Sequence, residues 1–189
     1  MSVFLETDRL RLRRFTGADE DHLVELDGDP EVMRFINGGR PTPRETVRTR
    51  VLPRLTEVFP ATGEPGFWAA EERARGAFLG WFEFRPVAAE SGEVVELGYR
   101  LRRAAWGRGY ATEGARALIG KGFTELGVER VVANTMAVNT GSRRVMEKSG
   151  LAYVRTYFGD WPEAIPGSEH GEVDYALTRE VWREGRGQR

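Results

Sequence analysis

Trp106-Gly107-Arg108-Gly109-Tyr110-Ala111-Thr112-Glu113 is the stretch that decides how this chain is read. It follows a strand-like run, Val94-Val95-Glu96-Leu97-Gly98-Tyr99-Arg100-Leu101, and opens a helix-like run from Tyr110 to Leu126. A strand, a short glycine turn and a helix N-terminus together make a place for an anion. The glycines let the backbone turn with its N–H groups converging, and the helix dipole adds partial positive charge at the same point. Arg102, Arg103 and Arg108 put mobile positive charge around the turn. Taken alone, the turn is equally a structural device that lets the helix pack closely on the strand.

Two nucleotide folds are disfavoured by the same residues. Position 112 is Thr, so a strict G-x-G-x-x-G is missing. A dinucleotide site would also want an acidic residue ending a second strand about 20 residues on. Glu129 lies near that distance but precedes the next strand-like run, Val131-Val132-Ala133. No G-x-x-x-x-G-K-[ST] occurs, which removes the triphosphate P-loop.

Composition narrows the class. At 189 residues the chain is expected to form a single domain with a substantial core, and 40% hydrophobic against 30% charged residues is ordinary for a soluble protein. The net charge of −1 gives no general attraction to nucleic acid or to an anionic membrane. There is no cysteine, so disulfides, thiolate zinc sites and any covalent thiol intermediate are all excluded. His22 and His170 lie far apart and read as ordinary surface residues, and no metal is expected. Charge arrives by Glu6, no run of 18 apolar residues follows, and the expected location is cytoplasmic.

The periodicities place elements in order. Residues 4–14 alternate Leu10 and Leu12 against Arg9, Arg11 and Arg13, which predicts one half-buried strand. Short helices are expected from Asp19 to Asp27 and from Pro30 to Ile36. A longer one from Arg44 to Phe59 should be kinked or interrupted by Pro53. Strands follow at Phe67 to Glu72, Ala77 to Arg85 and Glu93 to Arg102, around a turn at Arg73 to Gly76. In the helix after the glycine turn, Ala111, Ala115, Leu118, Gly122 and Leu126 make the expected buried face. Val131 to Met136 is a strand, Asn139 caps a helix ending at Gly150, and Ala152 to Phe158 and Val173 to Thr178 are the last strands.

Four of these segments, in order, resemble the GNAT superfamily of N-acetyltransferases. Glu96-Leu97-Gly98-Tyr99-Arg100-Leu101 with Trp106 to Gly114 is similar to its acetyl-CoA-binding motif. Asn134-Thr135, Asn139 and Ser142-Arg143-Arg144-Val145-Met146-Glu147-Lys148-Ser149-Gly150-Leu151 resemble the strand and helix that follow. The opening Leu5-Glu6-Thr7-Asp8-Arg9-Leu10-Arg11-Leu12-Arg13 and the close Asp174 to Trp182 are similar to the Rim-type branch, which acetylates N-termini of ribosomal proteins. Two positions depart from the family pattern. Ala104 stands where Gln or Arg is usual, and Leu151 replaces the more usual Phe. The resemblance implies an α/β acyl-CoA N-acyltransferase fold, with a mostly antiparallel central sheet splayed to admit the pantetheine arm and flanked by helices. It also implies acetyl-CoA as cosubstrate.

On that resemblance the cofactor contacts are Leu97, Gly98, Tyr99, Arg102, Arg103, Trp106, Gly107, Arg108, Gly109, Tyr110, Ala111, Thr112, Asn139 and Arg143. Backbone N–H groups at Leu97 to Tyr99 would hold the oxyanion. Glu96 is the first candidate for the base that takes the amine proton, with Glu83 on the neighbouring strand as the alternative. Ser142 is the candidate hydroxyl beside the departing sulfur, with Tyr153 and Tyr157 as rivals. Asn139 and Ser142 equally serve as N-cap and first-turn residues, and Lys148 reads as helix surface.

The acceptor pocket is expected between residues 35–42 and 159–170. Trp68, Trp81 and Trp161 are candidate walls, and Asp160, Glu163 and Glu169 candidate partners for a cationic amine. A protein N-terminal amine is the first expectation for the acceptor, and a polyamine or aminoglycoside-like amine the second. The loop from Gly159 to Gly171 is alternatively a surface excursion or a homodimer contact. A non-catalytic acyl-CoA-binding module on the same fold is the competing function, and a nucleotide-binding protein a more distant one.

Overall fold

The structure is a computed structural model that describes residues 3–159 and 163–187. One eight-stranded sheet runs through it in the order β1-β2-β5-β6-β7-β8-β10-β9. These strands are β1 (Val3–Glu6), β2 (Leu10–Arg13), β5 (Phe67–Glu72), β6 (Ala77–Ala88), β7 (Ser91–Leu101), β8 (Arg130–Met136), β9 (Ala152–Tyr157) and β10 (Glu172–Thr178). A short ribbon of β3 (Val58–Phe59) and β4 (Glu64–Pro65) stands apart. Every neighbouring pair in the large sheet is antiparallel except β7 and β8.

That parallel pair matters most. It is held only at Val94–Arg130, Val95–Val131 and Glu96–Val132. Beyond Glu96 the strands part, leaving Leu97 to Leu101 unpaired toward β8 while still laddered to β6. A mostly antiparallel sheet splayed at its centre is the architecture expected.

Two apolar clusters, one on each face, follow from strand alternation. Phe82 and Phe84 of β6 and Val95, Leu97 and Leu101 of β7 point to the face covered by α5 (Tyr110–Glu125) and α6 (Thr140–Lys148). Trp81, one residue before Phe82, points to the opposite cluster with Phe67, Leu23, Leu26, Val32 and Val47. That second face carries α1 (Glu20–Leu26), α2 (Pro30–Asn37), α3 (Arg44–Thr46) and α4 (Leu52–Thr56). Polar residues that alternate with the first cluster, notably Glu83 and Glu96, therefore share a face with α1 and α2.

Several boundaries differ from expectation for physical reasons. The single strand expected over residues 4–14 is a hairpin, because the Thr7 N–H donates to the Leu10 carbonyl at 2.9 Å and turns the chain. The helix containing Pro53 stops at Thr56, and its ladder widens to a π-helix over Val47–Val51 just before the proline. Residues 58–59, expected at its end, belong to β3 instead. On α5, Leu126 is the exposed C-cap and not part of the buried face, which Phe123 and Ile119 complete. Gly114 and Gly122 on that helix face Phe82 and Phe84, where a Cβ would come within 2.6 Å of Phe82 Cε1 and 2.7 Å of Phe84 Cζ. Those glycines seat α5 close to the sheet and so set the position of the turn before it. Trp68 is 1% exposed and stacked on Phe4, a core residue and no pocket wall.

Candidate active site

The splay opens into a cleft of about 870 Å³ that passes between β7 and β8. Its lining runs from α2 past Glu83, Glu96, Leu97, Gly98 and Tyr99 to the glycine turn and the first residues of α5 and α6.

At the turn, Gly107 (φ 68°) and Gly109 (φ 82°) occupy the left-handed region where side chains are strained. The first helical bond of α5 runs from the Glu113 N–H to the Gly109 carbonyl at 3.0 Å. Among the described residues, none of the N–H groups of residues 107–112 donates to a protein acceptor. Six consecutive donors at a helix N-terminus are what an anionic ligand requires. Gly107, Gly109, Tyr110, Ala111, Thr112 and Trp106 all line the cleft. Trp106 closes the turn by donating its indole N–H to the Leu101 carbonyl at 2.8 Å.

The arginines divide differently from expectation. Arg102 is paired with Glu25 at 2.8 Å and Arg103 with Asp29 at 3.6 Å, both toward α1 and α2. Arg143 donates to the Tyr175 hydroxyl at 3.1 Å and to the Ala137 carbonyl at 3.0 Å, which holds α6 to the sheet. Arg108 lies outside the cleft lining, beside the Tyr110 ring. The structure thus engages Arg102, Arg103 and Arg143 elsewhere, and leaves Arg108 beside a cleft-lining ring but outside the lining itself. Arg144 and Lys148, one turn apart on α6, line it instead. The i, i+4 spacing was visible in sequence, but which face of α6 turned inward was not.

Arg9 was missed altogether. It crosses from the β1–β2 turn to the glycine turn, donating to the Arg108 carbonyl at 2.9 Å and to Glu113 Oε2 at 2.6 Å. Glu113 also accepts from the Thr7 hydroxyl at 2.6 Å. Burial raises the Glu113 pKa, but the Thr7 and Arg9 bonds outweigh it and hold the carboxyl below its ordinary value.

The carboxylates meet at the acceptor side. Arg85 lies between Glu83 and Glu96, its Nε 2.5 Å from Glu83 Oε1 and its Nη2 bonded to Glu96 Oε2. Asn134 Nδ2 donates to Glu96 Oε1 at 2.9 Å, so both Glu96 oxygens are engaged. Glu83 Oε2 instead lies over Gly98, where a Cβ would be only 2.6 Å away. Burial, then the Glu96 charge, pushes the Glu83 carboxyl above its ordinary value despite Arg85.

Asn139 caps α6, accepting from the Ser142 N–H at 3.3 Å, and its own amide donates to Thr135 Oγ1 at 3.1 Å. The Ser142 hydroxyl sits 3.0 Å from the Tyr99 hydroxyl. Neither Tyr153 nor Tyr157 lines the cleft. Tyr153 is half exposed and Tyr157 donates to Glu172 at 3.1 Å. Beside the cleft a second cavity of about 300 Å³ is lined by Phe35, Ile36, Arg40, Glu163, Ile165 and Glu172, with an Arg40–Glu163 ion pair at its rim. Trp81 lines the large cleft while packing in the core. Glu169 is turned back on its own loop, accepting from the Gly167 N–H at 2.8 Å. Asp160 and Trp161 lie outside the described residues.

A splayed sheet with free N–H donors on one side and a carboxylate pair on the other suits the acyl-CoA-dependent transferase that the family resemblance implies. The comparisons agree. The profile of the acetyltransferase (GNAT) domain matches residues 9–152, and the chain belongs to that family. The chain is 38% identical to the FsC-acetyl coenzyme A-N(2)-transacetylase of Aspergillus fumigatus over 94% of its own length and 77% of the relative's. A GNAT-family acetyltransferase from Bacillus anthracis superposes with a TM-score of 0.75 at 25% identity, over 93% of this chain and 98% of that one. The spermidine N-acetyltransferase of Vibrio cholerae, solved with CoA and spermine, shares the fold at a TM-score of 0.71 and 13% identity, over 94% and 99%. The protein is an acetyl-CoA-dependent N-acetyltransferase. Among the described residues no cluster suited to a metal occurs, and no helix is long and apolar enough to cross a membrane.

Proposed function

We propose that the chain, as one acetyltransferase domain, moves an acetyl group directly from acetyl-CoA to the α-amine of an amino-acid-derived small molecule, with Glu83 as the base. The observation that carries the choice of base is the asymmetry of the carboxylate pair. Glu96 has a donor on each oxygen and so neither oxygen is open to an amine, whereas Glu83 keeps Oε2 free over Gly98 and is raised by burial. Glu96 then serves to hold Arg85. An α-amine titrates near pKa ~8, lower than a lysine amine, so it places less demand on a carboxylate base. The amine attacks the thioester itself, consistent with a chain that has no cysteine.

The small acceptor is favoured by the 300 Å³ cavity beside the cleft and by the N(2) position in the name of the Aspergillus relative. A protein N-terminal amine is the second reading, supported by the Rim-like ends of the chain and requiring the same α-amine chemistry. Steady-state acetylation decides between them. The panel is lysine blocked at Nε, lysine blocked at Nα, short peptides with free and blocked N-termini, spermidine and an aminoglycoside. Turnover confined to free α-amines, fastest on the Nε-blocked amino acid, is expected. Faster turnover of spermidine or the aminoglycoside would overturn the assignment.

A further inference from the structure

Arg9 reaches the glycine turn from the β1–β2 side. Its own backbone is held at both ends, the N–H donating to Glu113 Oε1 at 3.0 Å and the carbonyl accepting from the Arg73 N–H at 2.9 Å. From that fixed base the guanidinium forks. Nε donates to Glu113 Oε2 at 2.6 Å and Nη1 to the Arg108 carbonyl at 2.9 Å, with the fork 4.5 Å from the centre of the Tyr110 ring. Gly109 lines the cleft and Arg9 does not. We infer that Arg9 is a positioning residue for the cofactor: by holding the Arg108 carbonyl outward, it aims the Gly109 N–H into the cleft at the pyrophosphate of acetyl-CoA. That role rests on the reading of the glycine turn as the phosphate site.

Peptide geometry links the two groups. In a trans peptide the carbonyl of one residue and the N–H of the next point in opposite directions, and the Arg108–Gly109 bond is trans. Fixing the Arg108 oxygen therefore fixes the Gly109 hydrogen. The chain cannot fix it alone, because Gly109 stands at φ 82° and glycine takes either sign of φ at little cost. A rotated peptide would show the phosphate a carbonyl oxygen in place of an N–H donor. Among the described residues, Arg9 is the donor that holds the Arg108 carbonyl.

Charge adds to orientation. Glu113 stands in the first turn of α5, where an uncompensated carboxylate would repel phosphates. Arg9 Nη2 pairs with its Oε2 at 2.6 Å, and the Thr7 hydroxyl donates to its Oε1 at 2.6 Å. The β1–β2 turn thus brings both a clamp and a neutralising charge to a site 99 residues further along the chain.

The test is calorimetric titration with CoA, and with pantetheine, which lacks the phosphates, by its displacement of CoA. One variant is Arg9→Met, which keeps an apolar stem beside Tyr110 and loses the donors. The other combines Arg9→Met with Glu113→Gln. This double variant replaces the wild type's neutral pair with two uncharged residues, so it lacks orientation alone, and it serves equally should the single variant fail to fold. CoA should bind about tenfold more weakly to Arg9→Met and about threefold more weakly to the double variant. Pantetheine affinity should change less than about twofold in both. A merely structural role would weaken both ligands alike, since a displaced α5 deforms the whole cleft. Equal losses for CoA and pantetheine, or a double variant that binds CoA as the wild type does, would each overturn the proposal. A wild type that binds CoA no more tightly than pantetheine would overturn the phosphate reading of the turn and the proposal together. A wild type that prefers CoA, with a preference that Arg9→Met retains in full, would overturn the proposal alone.

Discussion

Glu83 and Gly98 are direct partners across the β6–β7 ladder, and Glu83 Oε2 occupies the space a side chain at position 98 would need. Neighbours directly opposite on antiparallel strands share a face. A glycine there does two things at once: it keeps a carboxylate oxygen uncovered and leaves a gap where the sheet splays. In the proposed mechanism the base and the acetyl carrier meet at this backbone position from opposite faces.

Gly98→Ala should therefore act on chemistry before binding. The methyl group would displace the Glu83 carboxylate, and kcat should fall at least tenfold, about 1.4 kcal/mol in the barrier. The KM for acetyl-CoA should change much less, because the glycine turn is untouched. Steady-state kinetics on the folded variant checks this, and a loss confined to KM would count against it.

Glu83 should cost the protein stability. Its folded-state pKa lies above the ordinary value, so its contribution to stability is fully present below the ordinary carboxylate pKa and is lost as pH rises through the raised one. At neutral pH Glu83→Gln should melt higher than the wild type, and about 1 kcal/mol would read as roughly 2–4 °C at this length. The difference should shrink toward zero below the ordinary carboxylate range. Thermal melts across pH decide, and a lower Tm for Glu83→Gln at neutral pH would contradict the burial argument.

Much of the fold was legible because its signals are local. Gly107 and Gly109 announce the turn, Asn139 announces the α6 cap, and the alternation in β5 to β8 announces a sheet. The arginines near the turn were not legible in the same way. Arg102 and Arg103 adjoin the glycines in sequence, yet a strand end pointing at α1 delivers them to Glu25 and Asp29. Arg9 is about a hundred residues from the turn and reaches it only through the β1–β2 hairpin, which the unbroken Leu–Arg alternation concealed. The pairing of Glu83 with Glu96 through Arg85 depends on the β6–β7 register, which no single strand reports.

The glycine turn is the proposed site of the cofactor phosphates. Gly109 has φ 82° and Arg9 Nη2 lies 3.3 Å from where its Cβ would be. Gly109→Val adds a β-branched side chain to a left-handed position and disturbs the free N–H groups around it. Acetyl-CoA affinity should weaken at least tenfold, about 1.4 kcal/mol. Calorimetric titration of the folded variant with CoA is the check, and unchanged affinity would place the phosphates elsewhere.

Far from the cleft, the Arg13–Asp19 pair anchors the second core. Arg13 bonds both Asp19 oxygens, at 2.9 and 2.8 Å, and reaches Glu71 at 2.6 Å, with Asp19 only 2% exposed. Burial pushes the Asp19 pKa up, but the Arg13 and Thr16 hydrogen bonds outweigh it and hold the carboxyl below its ordinary value. Its contribution is present above the ordinary carboxylate pKa and is lost as pH falls through the lowered one. Asp19→Ala, which leaves a buried guanidinium short of a partner, should cost about 3–5 kcal/mol. Denaturant unfolding measures it, and a loss under about 1 kcal/mol would show the pair to be as weak as a surface one.

The most direct test of the account is the pH dependence of kcat/KM for an α-amine acceptor in the wild type, Glu83→Gln and Glu96→Gln. If Glu83 takes the amine proton, the wild-type rate falls on the acid side with a midpoint above the ordinary carboxylate value. Glu83→Gln should be slower by roughly 10²–10⁴ at neutral pH, and the deficit should narrow as pH passes the amine's own pKa of about 8. In Glu96→Gln the acid limb should move to lower pH, because a like charge beside Glu83 has gone. A Glu83→Gln enzyme with the wild-type profile, beside a Glu96→Gln enzyme that has lost its activity, would contradict the account.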